Sequence, residues 1–287
     1  MTGFLGNLRA ANNLAPLLPE VLRLNGEHYS RYRHSDGLFH WHQLRQLGAA
    51  TREDLLKYAR LAIHCDRTEL AREILKPLHY GAPNDADVLL VLSELFEREG
   101  DLPKAREAAL DAITRNPRDS EAELRVARLE LASQRPAQRI AARGRLYALM
   151  AATNQVRVDA AFALILDDRP SPADLGLIAQ MMRRNPVPSF GERLVSALVS
   201  LRRGEGTPEN AIAGLKASLG RDLNLWERMV AAERLGAAGE YAAVLALLPE
   251  EVALTDRNLA AFRLGALASL RDTAGMERIL KDRKSVV

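Results

Sequence analysis

Residues 28 to 42, HYSRYRHSDGLFHWH, hold four of the chain's six histidines together with Tyr29, Tyr32, Phe39 and Trp41. Imidazoles at this density could ligate a metal, recognise a ligand by aromatic contact, or pack with a polar edge. Three other places carry residues of chemical interest. His64 precedes Cys65, Asp167 precedes Asp168, and RRGEGTPEN at 202–210 contains two closely spaced glycines. These would suit a nucleophile with its base, a carboxylate pair, and a phosphate-binding loop.

Whether such residues meet depends on the elements that carry them. Neighbours on a helix point ~100° apart, so His64 and Cys65 on one helix cannot form a dyad. LDDRPSPADL reads as a helix end, a turn and a new helix, with Ser171 or Asp168 near the cap and Pro172 at the start. RRGEGTPEN lacks the lysine that follows a phosphate-binding loop, and its glycines read as turn residues. No catalytic, cofactor-binding or metal-ligating set is expected, and the chain reads as a non-enzyme.

Composition narrows the class. Hydrophobic residues make up 47% but aromatics only 5%, and Ala and Leu recur in almost every segment, which favours helices over strands. Forty Lys and Arg against thirty-seven Asp and Glu leave +3, too little to suggest nucleic acid as a partner. The single cysteine, Cys65, excludes an internal disulfide and a cysteine metal cage. No run approaches the ~18 apolar residues of a membrane span. The first residues lack a basic start and are broken by Asn7, Arg9, Asn12 and Asn13, unlike a secretory signal. A cytoplasmic location is the default expectation, with a periplasmic one open if a signal has been removed.

The chain repeats itself at about thirty-four residues. In 86–119, Leu89, Leu92, Leu95 and Phe96 recur at helical spacing, and Gly100 and Asp101 break the pattern. A second helix then carries Ala105, Ala109 and Ala112 up to Asn116 and Pro117, making a helical hairpin. In 52–85 the residues Ala59, Ala71, Leu75, Leu78 and Pro83 occupy the places of Ser93, Ala105, Ala109, Ala112 and Pro117.

These two units resemble tetratricopeptide repeats (TPRs) of bacterial type, which alternate small and large residues at fixed positions of a helical hairpin. The match runs through Leu89, Leu92, Ser93, Phe96, Ala105, Ala112 and Pro117, and through Leu55, Tyr58, Ala59, Ala71, Leu75 and Pro83. It departs at Ala109, where a larger residue is usual, and at Leu78, which is oversized. Extending the register gives weaker units at 18–51, 120–154, 155–188, 189–223 and 225–255. Residues 1–17 are expected as an N-terminal capping helix and 256–287 as a C-terminal hairpin cap. The resemblance implies an all-α, right-handed superhelical solenoid of about seven or eight hairpins, forming one domain over 1–287.

It also implies a concave groove lined by the first helix of each repeat. Residue by residue this gives Leu22, Arg23 and Tyr29; Lys57, Arg60, Ile63 and His64; Leu90, Val91, Glu94, Glu97 and Arg98; and Leu124, Arg125 and Arg128. Such a mixed, mostly basic groove with apolar spots suits an acidic peptide or helix. The expectation is a scaffold or adaptor for protein–protein interaction. The alternatives are an assembly or regulatory subunit of a bacterial cell-envelope or polysaccharide machine and, further off, an RNA-binding helical repeat, against which Glu94 stands between Arg60 and Arg128.

In the register of 18–51 the histidine stretch crosses the turn of a hairpin. Trp41 and Leu38 then face the core, His40 and His42 lie ~200° apart, and His28 and His34 read as packing substitutes. Tyr29 is the member expected to face the groove.

Overall fold

The computed structural model describes residues 15–31, 34–151, 155–167 and 170–283. Most of the expected N-terminal cap, residues 1–14, lies outside these, as do Tyr32 and Asp168. Among the described residues there are seventeen helices and no strand. They pair in chain order: α1 (Pro19–Tyr29) with α2 (His34–Gln46), α3 (Arg52–His64) with α4 (Thr68–Gly81), α5 (Ala86–Arg98) with α6 (Leu102–Arg115), and α7 (Ser120–Leu131) with α8 (Pro136–Met150). There follow α9 (Gln155–Ile165) with α10 (Pro172–Arg183), α11 (Phe190–Arg202) with α12 (Pro208–Leu219), α13 (Leu225–Ala237) with α14 (Tyr241–Leu247), the single turn α15 (Glu250–Ala253), and α16 (Arg257–Ser269) with α17 (Thr273–Arg283). Among the described residues the fold is all-α, with eight hairpins. The chain divides into two compact units, 1–142 and 143–287, whose boundary falls within α8.

One turn recurs inside the hairpins. Asp66, Gly100, Gly204, Gly239 and Arg271 all adopt positive φ. At each of them the next residue's N–H bonds back to a carbonyl of the first helix: Arg67 to Ala62, Asp101 to Phe96, Glu205 to Ser200, Glu240 to Leu235 and Asp272 to Leu267, at 2.8–2.9 Å. This is the Schellman closure, which satisfies orphan carbonyls and reverses the chain within a few residues. RRGEGTPEN is such a turn, with Thr207 capping α12 and Pro208 in its first turn.

Starts of the first helices are equally regular. Thr51, Ser189 and Asn224 form capping boxes with Asp54, Glu192 and Glu227, and Ser171 does the same with Asp174 at the start of α10. Ser171 is therefore the cap, with Pro172 directly after it.

Small residues let the helices close up. In the N-terminal unit Ala59, Ala71, Ala105, Ala109, Ala112 and Ser93 are fully buried, so the period of small side chains is a period of helix crossings. A close crossing lies between α1 and α2. A Cβ on Gly26 would sit 2.6 Å from Trp41 Cε2, and Trp41 Nε1 donates to Ser30 Oγ at 3.1 Å. Trp41 is buried and Leu38 packs against the same cluster, as expected. Leu78, the oversized residue of 52–85, also packs there, partly exposed.

Candidate functional site

The first helices of the N-terminal unit, α1, α3, α5 and α7, bring the expected groove residues into two groups. Leu22, Ile63, Leu90, Val91 and Leu124, expected to line the groove, are buried in the core. The correction has a physical cause. A first helix packs against its own partner and against the hairpins on either side, as α3 does against α4, α2 and α5, so its apolar face spans far more than one stripe.

The charged residues form a ladder between successive hairpins. Arg23 donates to both carboxylate oxygens of Asp54 at 3.0 Å. Lys57 bonds Glu27 at 2.7 Å and Glu53 at 2.9 Å. Arg60 lies 3.2 Å from Glu94 and 3.1 Å from Glu121, spanning three first helices. Arg125 pairs with Glu97 at 2.6 Å and donates to the Ser93 hydroxyl and carbonyl. Arg98 pairs with Asp66 at the preceding turn. Of the expected cations only Arg128 is exposed and, among the described residues, makes no ion pair.

This arrangement sets the local electrostatics. Burial raises the pKa of the Glu94 carboxyl, outweighing the attraction of Arg60 and Arg125. Burial likewise lowers the pKa of Arg125, helped by repulsion from Arg128, against the pull of Glu97 and Glu94. Asp54 is held below the ordinary carboxylate range: burial pushes it up, but the bonds from Arg23 and Thr51 win.

Tyr29 and His64 belong to two aromatic contacts apart from the ladder. Tyr29 stacks on His40 at 5.4 Å between ring centroids, His28 meets it edge-on at 5.2 Å, and His34 meets His64 edge-on at 4.3 Å. His42 turns the other way, with Nδ1 3.2 Å from Tyr58 Oη on α3. Burial lowers the pKa of His28 and His40, so both favour the neutral imidazole of a packed ring. Among the described residues, no group of three or more His, Cys, Asp or Glu side chains could hold a metal ion. Asp167 pairs with Arg143 at 2.7 Å, and burial raises the pKa of the Cys65 thiol.

In the C-terminal unit arginines of the first helices bond carbonyls at the ends of second helices. Arg157 donates to Met181, Arg193 to Ser218 and Arg228 to Leu247, while Arg263 reaches Leu248 at 2.6 Å. Each places a cation where the helix dipole is negative. The acidic partners Asp54, Glu121, Glu192 and Glu227 escaped the groove assignment, whereas Glu97 belonged to it. Three of them were visible as the last residue of a capping box, and the Glu-Arg pair recurs at 192–193 and 227–228.

No protein-family model matches the chain, and no curated protein matches it. Among solved structures it is similar to a tetratricopeptide repeat protein from Parabacteroides merdae, with 17% identity over 81% of this chain and 90% of that one and a TM-score of 0.51. It is also similar to a chain of the APC/C hetero-tetramer Cut9–Hcn1, with 15% identity over 96% of this chain and 57% of that one and a TM-score of 0.49. The first likeness shows that the hairpins have the fold of tetratricopeptide repeats, as the residues of 52–119 implied.

Proposed function

We propose that the chain is a non-enzymatic scaffold that binds other proteins through the exposed faces of its first helices. The observation that carries this reading is the ladder itself. Charged side chains from four successive hairpins are held in fixed positions by ion pairs, presenting an ordered polar face on a backbone of repeated helices. Among the described residues no helix is long and apolar enough to cross a membrane.

An acidic peptide or helix is the ligand chemistry we assign to the N-terminal unit. Arg128 offers a guanidinium that makes no ion pair among the described residues. Lys57 and Arg60, each about two-fifths exposed, hold Glu27, Glu53 and Glu121 by surface pairs worth no more than about 1 kcal/mol, which a ligand carboxylate can replace. The test is selection of a displayed random peptide library on the full chain and on Arg128→Glu and Lys57→Glu variants. Acidic sequences should be enriched on the native chain and lost on both variants. Enrichment that ignores peptide charge would overturn the acidic mode, and no enrichment at all would overturn the scaffold reading.

A further inference from the structure

The C-terminal unit carries a different surface, apolar and open. Between α13 and α16 lies a cleft of about 290 Å³, lined by Gly236, Ala237, Phe262, Gly265, Ser269 and Glu233 among others. Its floor is low because nothing fills it: a Cβ added at Gly236 or Gly265 would meet no atom within 4 Å. The close approach at Gly26, where a Cβ would strike Trp41, is the opposite case. Gly236 and Gly265 therefore leave room that no neighbour in the unit takes up.

The cleft continues along α13. Met229 and Val230 lie half-buried and Trp226 is 41% exposed, on the stripe that includes Glu233 and Ala237. Trp226 is steadied by Phe190, whose ring centroid is 6.0 Å away. Ten residues separate Trp226 from Gly236, about 15 Å along the helix.

Charge identifies the occupant. Glu233 is the one charged residue lining the cleft; it is exposed and, among the described residues, makes no ion pair. The nearby cations are committed elsewhere, Arg234 to Asp159 and Arg263 to the carbonyls of Leu245 and Leu248. An apolar surface with one unpaired carboxylate at its middle favours an apolar ligand with a cation between its anchors.

We propose that this face binds a basic amphipathic helix of a partner protein, with one apolar side chain in the α13–α16 cleft, another against Trp226, and a Lys or Arg between them on Glu233. It rests on the scaffold reading but uses other residues and the opposite ligand charge.

The probe is a synthetic helical peptide with leucines at i, i+3, i+7 and i+10 and flanking lysines, against a copy with glutamates for lysines. Binding to the full chain is read by peptide anisotropy and by the fluorescence of Trp226, since Trp41 is buried. The lysine peptide should bind about tenfold more tightly than the glutamate peptide. Gly265→Leu, which fills the cleft, should weaken it about tenfold, the cost of leaving one leucine unburied. Glu233→Lys should reverse the preference, and Arg128→Glu should change nothing. Melting curves check that the variants fold, and if Gly265→Leu does not, Glu233→Lys decides. Equal binding of the two peptides, binding indifferent to both substitutions, or no binding of the lysine peptide would overturn the proposal. Library selection that still yields acidic, Arg128-dependent binders would leave the scaffold reading standing in each case.

Discussion

Arg234 Nη2 lies 3.2 Å from Asp159 Oδ1, joining α13 to α9 across 75 positions of sequence. The same guanidinium sits 4.7 Å from the centroid of the Phe162 ring. Helical hairpins in series bury their faces mainly against nearest neighbours, and their stability is close to a sum of such contacts. Arg234 goes one hairpin further, and Arg60 does the same in the N-terminal unit by reaching Glu121. Ties of this kind couple hairpins that would otherwise fray independently.

Replacing Arg234 by Met, which keeps the apolar stem, should therefore cost about 1–2 kcal/mol, the combined scale of a partly exposed ion pair and a cation–π contact. Urea unfolding gives the loss. A double-mutant cycle with Asp159→Asn should show a coupling above about 0.5 kcal/mol; additive losses would mean that the two side chains act separately.

Asp54 should govern part of the acid limb of stability. Its folded pKa is lowered, so between the unfolded and folded values the unfolded chain binds more protons. The stabilisation is complete above the ordinary carboxylate value of 3.8 and is lost as pH falls through the folded one. Asp54→Asn breaks the Arg23 pair and the capping box together and should cost about 2 kcal/mol or more at neutral pH, with a smaller further loss in acid. Urea midpoints of both proteins at pH 7 and pH 3 test this.

Glu94 should behave in the opposite sense. Its pKa is raised, so the folded chain holds the proton more tightly and stability falls as pH rises from the ordinary value of 4.5 through the folded one. Glu94→Gln removes a charge whose burial outweighs its pairing, and is expected to leave stability at neutral pH unchanged or higher by about 1 kcal/mol. Unfolding at pH 5 and pH 8 separates the outcomes: the native chain should weaken between them more than the variant.

Gly26→Ala should cost about 1–3 kcal/mol, because the new methyl drives into the buried Trp41 ring. Gly265→Ala, into open space, should instead gain about 1 kcal/mol from helix propensity. Thermal melts of the two variants compare them directly, and equal shifts would deny the crossing at Gly26 its role.

Much of the fold was legible because its rules are local. The small residues Ala59, Ser93 and Ala105 recur at helix crossings, Gly100 and Gly239 stand where the chain needs positive φ, and Pro117 follows a helix end. The groove was less legible. Tyr29, expected to face a ligand, stacks on His40, which its position on the helix does not foretell, and Leu90 and Val91, expected to contact a ligand, are core residues. Periodicity says that a residue lies on a helix face but not how much of that face its neighbours cover.

By itself the sequence determined the helical class, the hairpin period, and the turns and caps, since these depend on bonds and side-chain sizes within a few residues. Only the tertiary structure decided which charges are spent. Arg60 meets Glu94 and Glu121, and Arg234 meets Asp159, because hairpins distant in sequence stack side by side, while Arg128 and Glu233 are left with no ion pair among the described residues. Ion pairing depends on distances across space, and no spacing along the chain encodes them.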